Sequence, residues 1–574
     1  MLDLLIKKAL LPEGRKPVDI GIRDGLIVDI GEDIQRETRQ TIHADGKVVF
    51  PSFANMHTHI SMSLLRGLGA DLPLMDWLQK VIWVLEGEFV SPEFVRDGAL
   101  IGIAEAIRSG TTLFMDMYFF EEAVAEVAQR AGIRAGLGFG ILDFPTKVAK
   151  SPEEYLQRAK AFIREFKNSD LVFPVLCPHA VYTCSPQTLK KSLELALEED
   201  VYIHTHTAET QQEVEASLER FGKRPVEHLH SLGLLSHRLL MAHVVWTTEE
   251  EREMIKESGA KVLHCPESNL KLASGIAPIS DYVRRGIHVC LGTDGPASND
   301  NLDMLEELSV MVKLQKGSSL NAKAMDARTA LRIATEEGFR AVGIKAGKIE
   351  VGYEADLMLV DTNKPHLQPL YDPIAQFVYS AKSSDIDTVI CKGKVLMEKG
   401  ELKTLDQEEC KQKAKRAEER LNLVKKAEEY KALLREKAKS EDCVIKLSES
   451  IKKLEEELKD LEEKREDKRF VKDIQELEEE LSDLKASQLR LKARLEELQK
   501  ELEDLKSKTE KSILEEYERL KKKHGLPIIL PIDSLGACTN CGTKLPSALY
   551  SRLIAGEVEV CPSCGRLVYY EEQV

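Results

Sequence analysis

The sequence predicts an α/β protein: a (β/α)8 barrel with a small β-sandwich built from both its flanks, then an α-helical coiled-coil hairpin and a zinc ribbon. Three observations carry this. Eight apolar strand-like runs end near Met56, Met117, Ile141, Pro178, Thr207, Val245, Cys265 and Gly292, each followed by helix-forming sequence. Between Gly400 and Gly525 there is no glycine or proline, and leucines recur at heptad spacing. Two Cys-x-x-Cys pairs close the chain.

Residues 1–50 and 345–400 hold short alternating strands, such as Val18-Asp19-Ile20-Gly21-Ile22 and Asp356-Leu357-Met358-Leu359-Val360. They predict one composite β-sandwich flanking the barrel of residues 51–344, where Glu121 to Ala131 and Glu249 to Ser258 typify the helices. Residues 401–435 read as a C-terminal helix of the barrel part or a linker. In 436–524, Val444, Leu447, Ile451, Leu454, Leu458 and Leu461 keep 3-4 spacing, which breaks across Arg465 to Arg469. It resumes at Ile474, Leu477, Leu481 and Leu484, and again from Leu491 to Leu505. The break predicts a hairpin turn near 464–470 with arms of ~75 Å at 1.5 Å per residue; a continuous helix pairing with another chain is the alternative. In residues 525–574, Cys538, Cys541, Cys561 and Cys564 can close a tetrahedral shell around a structural zinc.

The charge is unevenly spread. Residues 401–523 hold 33 basic and 35 acidic residues, so most of the net −16 lies in the first 400. An acidic, aromatic-poor chain is poorly suited to nucleic-acid backbone or anionic membrane. No stretch approaches 18 apolar residues, and the N-terminus has no cleavable leader pattern. The 11 cysteines, seven of them scattered singly, suit a reducing compartment. A cytoplasmic protein acting on small molecules is expected.

His57-Thr58-His59 sits where an apolar run gives way to polar chain, and His206, His243 and Asp294 recur at later strand ends. On an extended chain residues i and i+2 face the same side, so both imidazoles can reach one cation. The lookalike His228-Leu229-His230 lies in helical sequence, which splays its rings about 200° apart, and reads as structural. Three imidazoles and one carboxylate form a site open to water, suited to Zn²⁺, Fe²⁺ or Mn²⁺. Such a metal lowers the pKa of water to about 7. Glu209, beside His206, and His243 and Asp294 are available for proton transfer. His204 faces inward one layer below His206 and reads as a supporting residue.

These residues resemble the amidohydrolase superfamily, and within it the 5-methylthioadenosine/S-adenosylhomocysteine deaminases. Matching stretches include His59 to Gly67, Asp76-Trp77-Leu78, Leu85-Glu86, Phe114 to Tyr118, Pro266 to Leu272 and Gly292 to Asn299. The resemblance, over about residues 1–435, implies one metal on His57, His59, His206 and Asp294. It further implies that Glu209 protonates the purine ring, Asp294 takes a proton from the attacking water and His243 orients that water. Trp77, Glu86 and His179 would hold the nucleoside, Glu86 through the ribose hydroxyls. The implied reaction turns adenine into an inosyl product and ammonia. The His-x-Glu and Pro-Cys-x-x-Cys pattern of the other zinc-deaminase fold is absent.

Some relatives place an arginine at the end of the third strand for the homocysteine carboxylate, whereas Gly136-Leu137-Gly138-Phe139-Gly140 stands here. That departure predicts preference for 5-methylthioadenosine or 5-deoxyadenosine over S-adenosylhomocysteine. Rival chemistries on the same metal site are guanine deamination and triazine hydrolysis. Asp467 to Phe470, Tyr517 to Leu520 and Cys561 to Tyr569 resemble coiled-coil proteins with a four-cysteine zinc ribbon. With three basic and five acidic residues in 524–574, a protein partner or self-association is expected there, not nucleic acid. The rival from another class is a coiled-coil zinc-ribbon interaction protein to which an independent enzyme is fused.

Overall fold

The computed structural model describes residues 1–14, 16–419, 446–456 and 471–508 and, towards the C-terminus, 529–532, 537–538, 541, 543–546, 549, 553, 559–564 and 567–570. Met1–Lys415 and Arg416–Val574 form two separate compact units.

In the first unit eight parallel strands follow one another in sequence order: Phe53–Thr58, Thr111–Tyr118, Arg134–Ile141, Val172–Pro178, Tyr202–Thr207, Leu239–His243, Lys261–His264 and His288–Leu291. Parallel neighbours need crossover connections, which the intervening helices supply. Met56, Leu113, Met115, Val175, Leu240, Leu263 and Cys290 fill the interior as one apolar cluster. The eighth strand then latches onto the first. Asp294 N donates to His57 O at 2.9 Å, and Asn55 exchanges bonds with Thr293 at 2.8 and 3.0 Å. Close approach there requires a residue without a side chain, since a Cβ on Gly292 would sit 2.7 Å from His57 N.

The flanks meet in one nine-stranded mixed sheet. Lys47–Pro51 pairs antiparallel with Leu357–Asp361, so the chain before the barrel is hydrogen-bonded to the chain after it. Buried Asp356 ties sheet to barrel: it accepts from Arg134 at 2.9 and 3.1 Å and from Thr112 at 2.8 Å. Helical residues 407–415 end the unit, with Cys410 buried and Lys413 2.9 Å from Asp97.

In the second unit, residues 446–456 and Val471–Lys508 are helical. Gln488 donates to Ser448 at 2.6 Å and Lys485 meets Glu455 at 2.7 Å. One partner number rises as the other falls, so these segments run antiparallel. Ile451 and Leu498, both in the leucine-rich seam, are buried. The turn expected near 464–470, the motifs Asp467 to Phe470 and Tyr517 to Leu520, and residues 420–435 lie outside the described residues. Ile529–Ile532, Leu567–Tyr570 and Glu559–Val560 form a three-stranded sheet beside the four cysteines. Sγ atoms of Cys538 and Cys564, and of Cys541 and Cys561, are each 3.7 Å apart. That is the edge of a tetrahedron with metal–sulfur bonds of about 2.3 Å, and far from a disulfide bond. No helix among the described residues is long and apolar enough to cross a membrane.

Candidate metal centre

At the carboxyl ends of the barrel strands, five side chains from four strand ends converge. The donor atoms of His57, His59 and Asp294 lie within 4.8 Å of one another, as do those of His57, His206 and His243. Asp294 Oδ1 is 3.3 Å from His57 Nε2 and 3.2 Å from His59 Nε2, while His206 Nε2 is 3.4 Å from His59 Nε2. Ligands at about 2.1 Å from a shared ion stand this far apart. His57 Nε2 is buried without a well-aligned hydrogen-bond partner, an orphaned atom of the kind a cation satisfies.

Each ring is aimed from behind. His57 Nδ1 lies 2.9 Å from His204 Nε2, His206 Nδ1 donates to His179 O at 2.8 Å, and His59 Nδ1 donates to Met117 O. His243 Nδ1 donates to Asn269 Oδ1 at 2.8 Å, and Ser268 Oγ donates to Asp294 Oδ2 at 2.6 Å. With Nδ1 as donor, Nε2 keeps its lone pair for the centre. Three of the positioning turns use left-handed backbone at residues with side chains: Ala208 (φ 50°), His243 (φ 71°) and Asp294 (φ 62°). Such strain persists only where surrounding contacts fix it.

Burial pulls His57 down to about 4 and His206 well below the usual imidazole range, so both stay neutral, the form that ligates. Burial would also lower His59, but the hydrogen bond and charge of Asp294 outweigh it and raise the ring to about 9. Burial alone would raise Asp294; His57 and His59 instead hold it well below the carboxylate range. Burial pushes Glu209 up, against the lowering effect of His243, so its carboxyl holds a proton to higher pH than a free glutamate.

One cavity at the mouth joins these groups to Trp77, Glu86, His179 and Glu209. Glu209 Oε2 is 3.6 Å from His243 Nε2, and Ser274 donates to its other oxygen at 3.1 Å. Trp77 is buried, its indole donating to Leu68 O at 3.2 Å. Glu86 is partly buried as a residue, with its carboxyl against the Tyr118 hydroxyl, and burial pushes it up to about 7. Every residue singled out at the barrel mouth thus comes to one place. His228 instead stacks on Phe221 with ring centroids 4.0 Å apart, and His204 lies one layer down against His57. Sequence reasoning assigned no role to Ser268, Asn269 or Tyr118, although all three fall within the matching stretches, and it passed over Glu213 and Ser274. A larger cavity, about 430 Å³, opens at the other end of the barrel beside Arg134, Lys167 and Tyr202, away from this chemistry.

Barrel and donor set define a metal-dependent hydrolase. The amidohydrolase family model matches residues 48–396, and the model of a C4-type zinc ribbon domain matches 537–568. The 5-methylthioadenosine/S-adenosylhomocysteine deaminase of Aquifex aeolicus is 69% identical over 419 residues, 73% of this chain and 97% of that protein. The 5'-deoxyadenosine deaminase of Methanosphaera stadtmanae is 40% identical over 73% of this chain and 99% of its own. Among solved structures, a zinc-bound adenosine deaminase from Xanthomonas campestris is 37% identical with a TM-score of 0.72, covering 74% of this chain and 99% of that one. The chain belongs to the amidohydrolase family, and its barrel unit is a hydrolytic deaminase.

Proposed function

We propose that the barrel unit deaminates adenine nucleosides carrying a small 5-substituent, 5-methylthioadenosine or 5-deoxyadenosine, to the inosyl product and ammonia. The observation that carries this is that Glu209, His243, Glu86 and Trp77 line one cavity, with Glu209 Oε2 3.6 Å from His243 Nε2. His57, His59, His206 and Asp294 would hold one divalent cation, zinc above iron or manganese given the imidazole-rich set. When bound, such a cation polarises water enough to make it a nucleophile near neutral pH.

The protein's own residues do the rest. Glu209, whose burial favours the protonated carboxyl, gives its proton to the purine ring nitrogen as carbon 6 is attacked. Asp294 takes a proton from the water and His243 orients it. Glu86 accepts from the ribose hydroxyls, and Trp77 and His179 wall the nucleoside. Loss of ammonia from carbon 6 completes the reaction. In the second unit, four cysteines would hold a structural zinc, and the helical segment would serve self-association or a protein partner in the cytoplasm; the near-balanced charge of residues 401–523 gives nucleic acid little purchase.

Ammonia release from a panel of adenosine derivatives, with metal content measured on the wild type and on His206→Ala, tests the reading. The expected result is release with the wild type and loss of both metal and activity in the variant. Retained activity without metal would overturn it.

A further inference from the structure

Several helices of the barrel unit open with a glutamate three residues past the cap, and the helix beside the metal centre uses its glutamate to hold a turn of the site. At Thr248 the arrangement is the usual reciprocal one, and both there and at Arg224 the glutamate accepts from the cap residue's own N–H: Thr248 N to Glu251 and Arg224 N to Glu227, both at 2.9 Å. At the helix Gln211–Phe221, Thr210 accepts from Glu213 N at 3.1 Å, as a cap should. Glu213, however, reaches past Thr210 towards the metal centre. Its two oxygens take Ala208 N at 3.0 Å and Glu209 N at 2.7 Å.

The peptide so gripped is the one that turns the chain. Ala208 stands at φ 50°, a left-handed conformation unfavourable for alanine. Its carbonyl accepts from Val245 N and Trp246 N, each at 3.0 Å, which ties it to the loop after His243. Ala208 is therefore held from both ends, by Glu213 at its N–H and by the neighbouring loop at its oxygen. The turn delivers the Glu209 carboxyl to His243 and Ser274. Glu213 itself is 5% exposed and does not line the cavity, so it meets no substrate.

We infer that Glu213 is a positioning residue for proton transfer: its carboxylate fixes the left-handed turn that aims Glu209 at the purine ring. This rests on the proposed role of Glu209. A glutamine at 213 keeps the size and one acceptor oxygen but turns an NH2 against a backbone N–H, so one bond is lost and the turn relaxes. A misplaced proton donor slows the chemical step and leaves binding alone.

Steady-state kinetics on 5-methylthioadenosine with the full chain test it. Glu213→Gln should lower kcat by roughly 30- to 100-fold with KM within about threefold of wild type and unchanged metal content, while Thr210→Ala lowers Tm and leaves kcat within about twofold. Glu213→Asp, one methylene short, should show the same loss confined to kcat and serves if the glutamine variant does not fold. A Glu213→Gln kcat within twofold of wild type, alongside an inactive Glu209→Gln, would overturn the inference and leave the proposed function standing. Equal kcat losses in Thr210→Ala and Glu213→Gln would also overturn it, reducing Glu213 to a helix cap. Full activity in Glu209→Gln would instead remove the proton-transfer reading on which it rests.

Discussion

His204 Nε2 lies 2.9 Å from His57 Nδ1 in the barrel interior, directly behind the metal centre. Burial holds His204 well below the usual imidazole range, so it is neutral, and a His57 that ligates through Nε2 carries its own proton on Nδ1 and donates it to His204 Nε2. This fixes the tautomer of His57 with Nε2 free for a cation. Replacing His204 by phenylalanine keeps bulk and removes the acceptor. Metal affinity, read by competition with a chromophoric chelator, should fall roughly 10- to 100-fold with Tm close to wild type. Unchanged affinity would refute this account of the tautomer.

Much of that arrangement was legible in the sequence. The eight strand ends fall within two residues of those observed because each run of buried β residues ends at a polar turn. The i, i+2 spacing gave His57 and His59, and the inward alternation put His204 one layer below His206. What escaped were partners whose contact depends on tertiary approach. Asn269 meets His243 across 26 residues and Ser274 meets Glu209 across 65. Glu213 was hidden for another reason: its local pattern reads as an ordinary helix cap, and only the left-handed turn at Ala208 diverts its carboxylate.

The cavity lining contains neither lysine nor arginine among the described residues; Leu74, Ile82, Trp83, Phe119 and Leu142 supply apolar wall, and Gly140 stands at the end of the third strand. A homocysteine carboxylate would lose water there without gaining a cation. The kcat/KM for 5-methylthioadenosine or 5-deoxyadenosine should exceed that for S-adenosylhomocysteine by at least about tenfold, roughly 1.4 kcal/mol. Comparable values for all three would rule out this selectivity.

Glu86 gives binding a pH dependence. Burial raises its carboxyl to about 7 against the lowering effects of the Tyr118 hydrogen bond and the His59 charge, so it holds its proton to higher pH than a free glutamate. Only the ionised form accepts from both ribose hydroxyls. KM should therefore rise as pH falls through about 7, approaching tenfold per unit below it. Glu86→Gln should have a high KM at every pH and no such limb; a variant that kept the acid limb would place the titrating group elsewhere.

The two units should be separable by truncation. Arg130 pairs with Glu409, Lys413 with Asp97, and Cys410 is buried with its thiol towards Leu100 O, so residues through 413 belong to the packing of the first unit. Exposed ion pairs contribute about 0–1 kcal/mol each, and burying the side chains at 405 and 410 adds to them. A chain ending at Lys415 should keep wild-type kcat and KM and bind one metal where the full chain binds two. One ending at Lys403 should melt several degrees lower, having lost that helix. In the full chain, Cys561→Ser should release one equivalent of zinc and leave deamination intact. Loss of deaminase activity on releasing that zinc would show that the barrel depends on the ribbon.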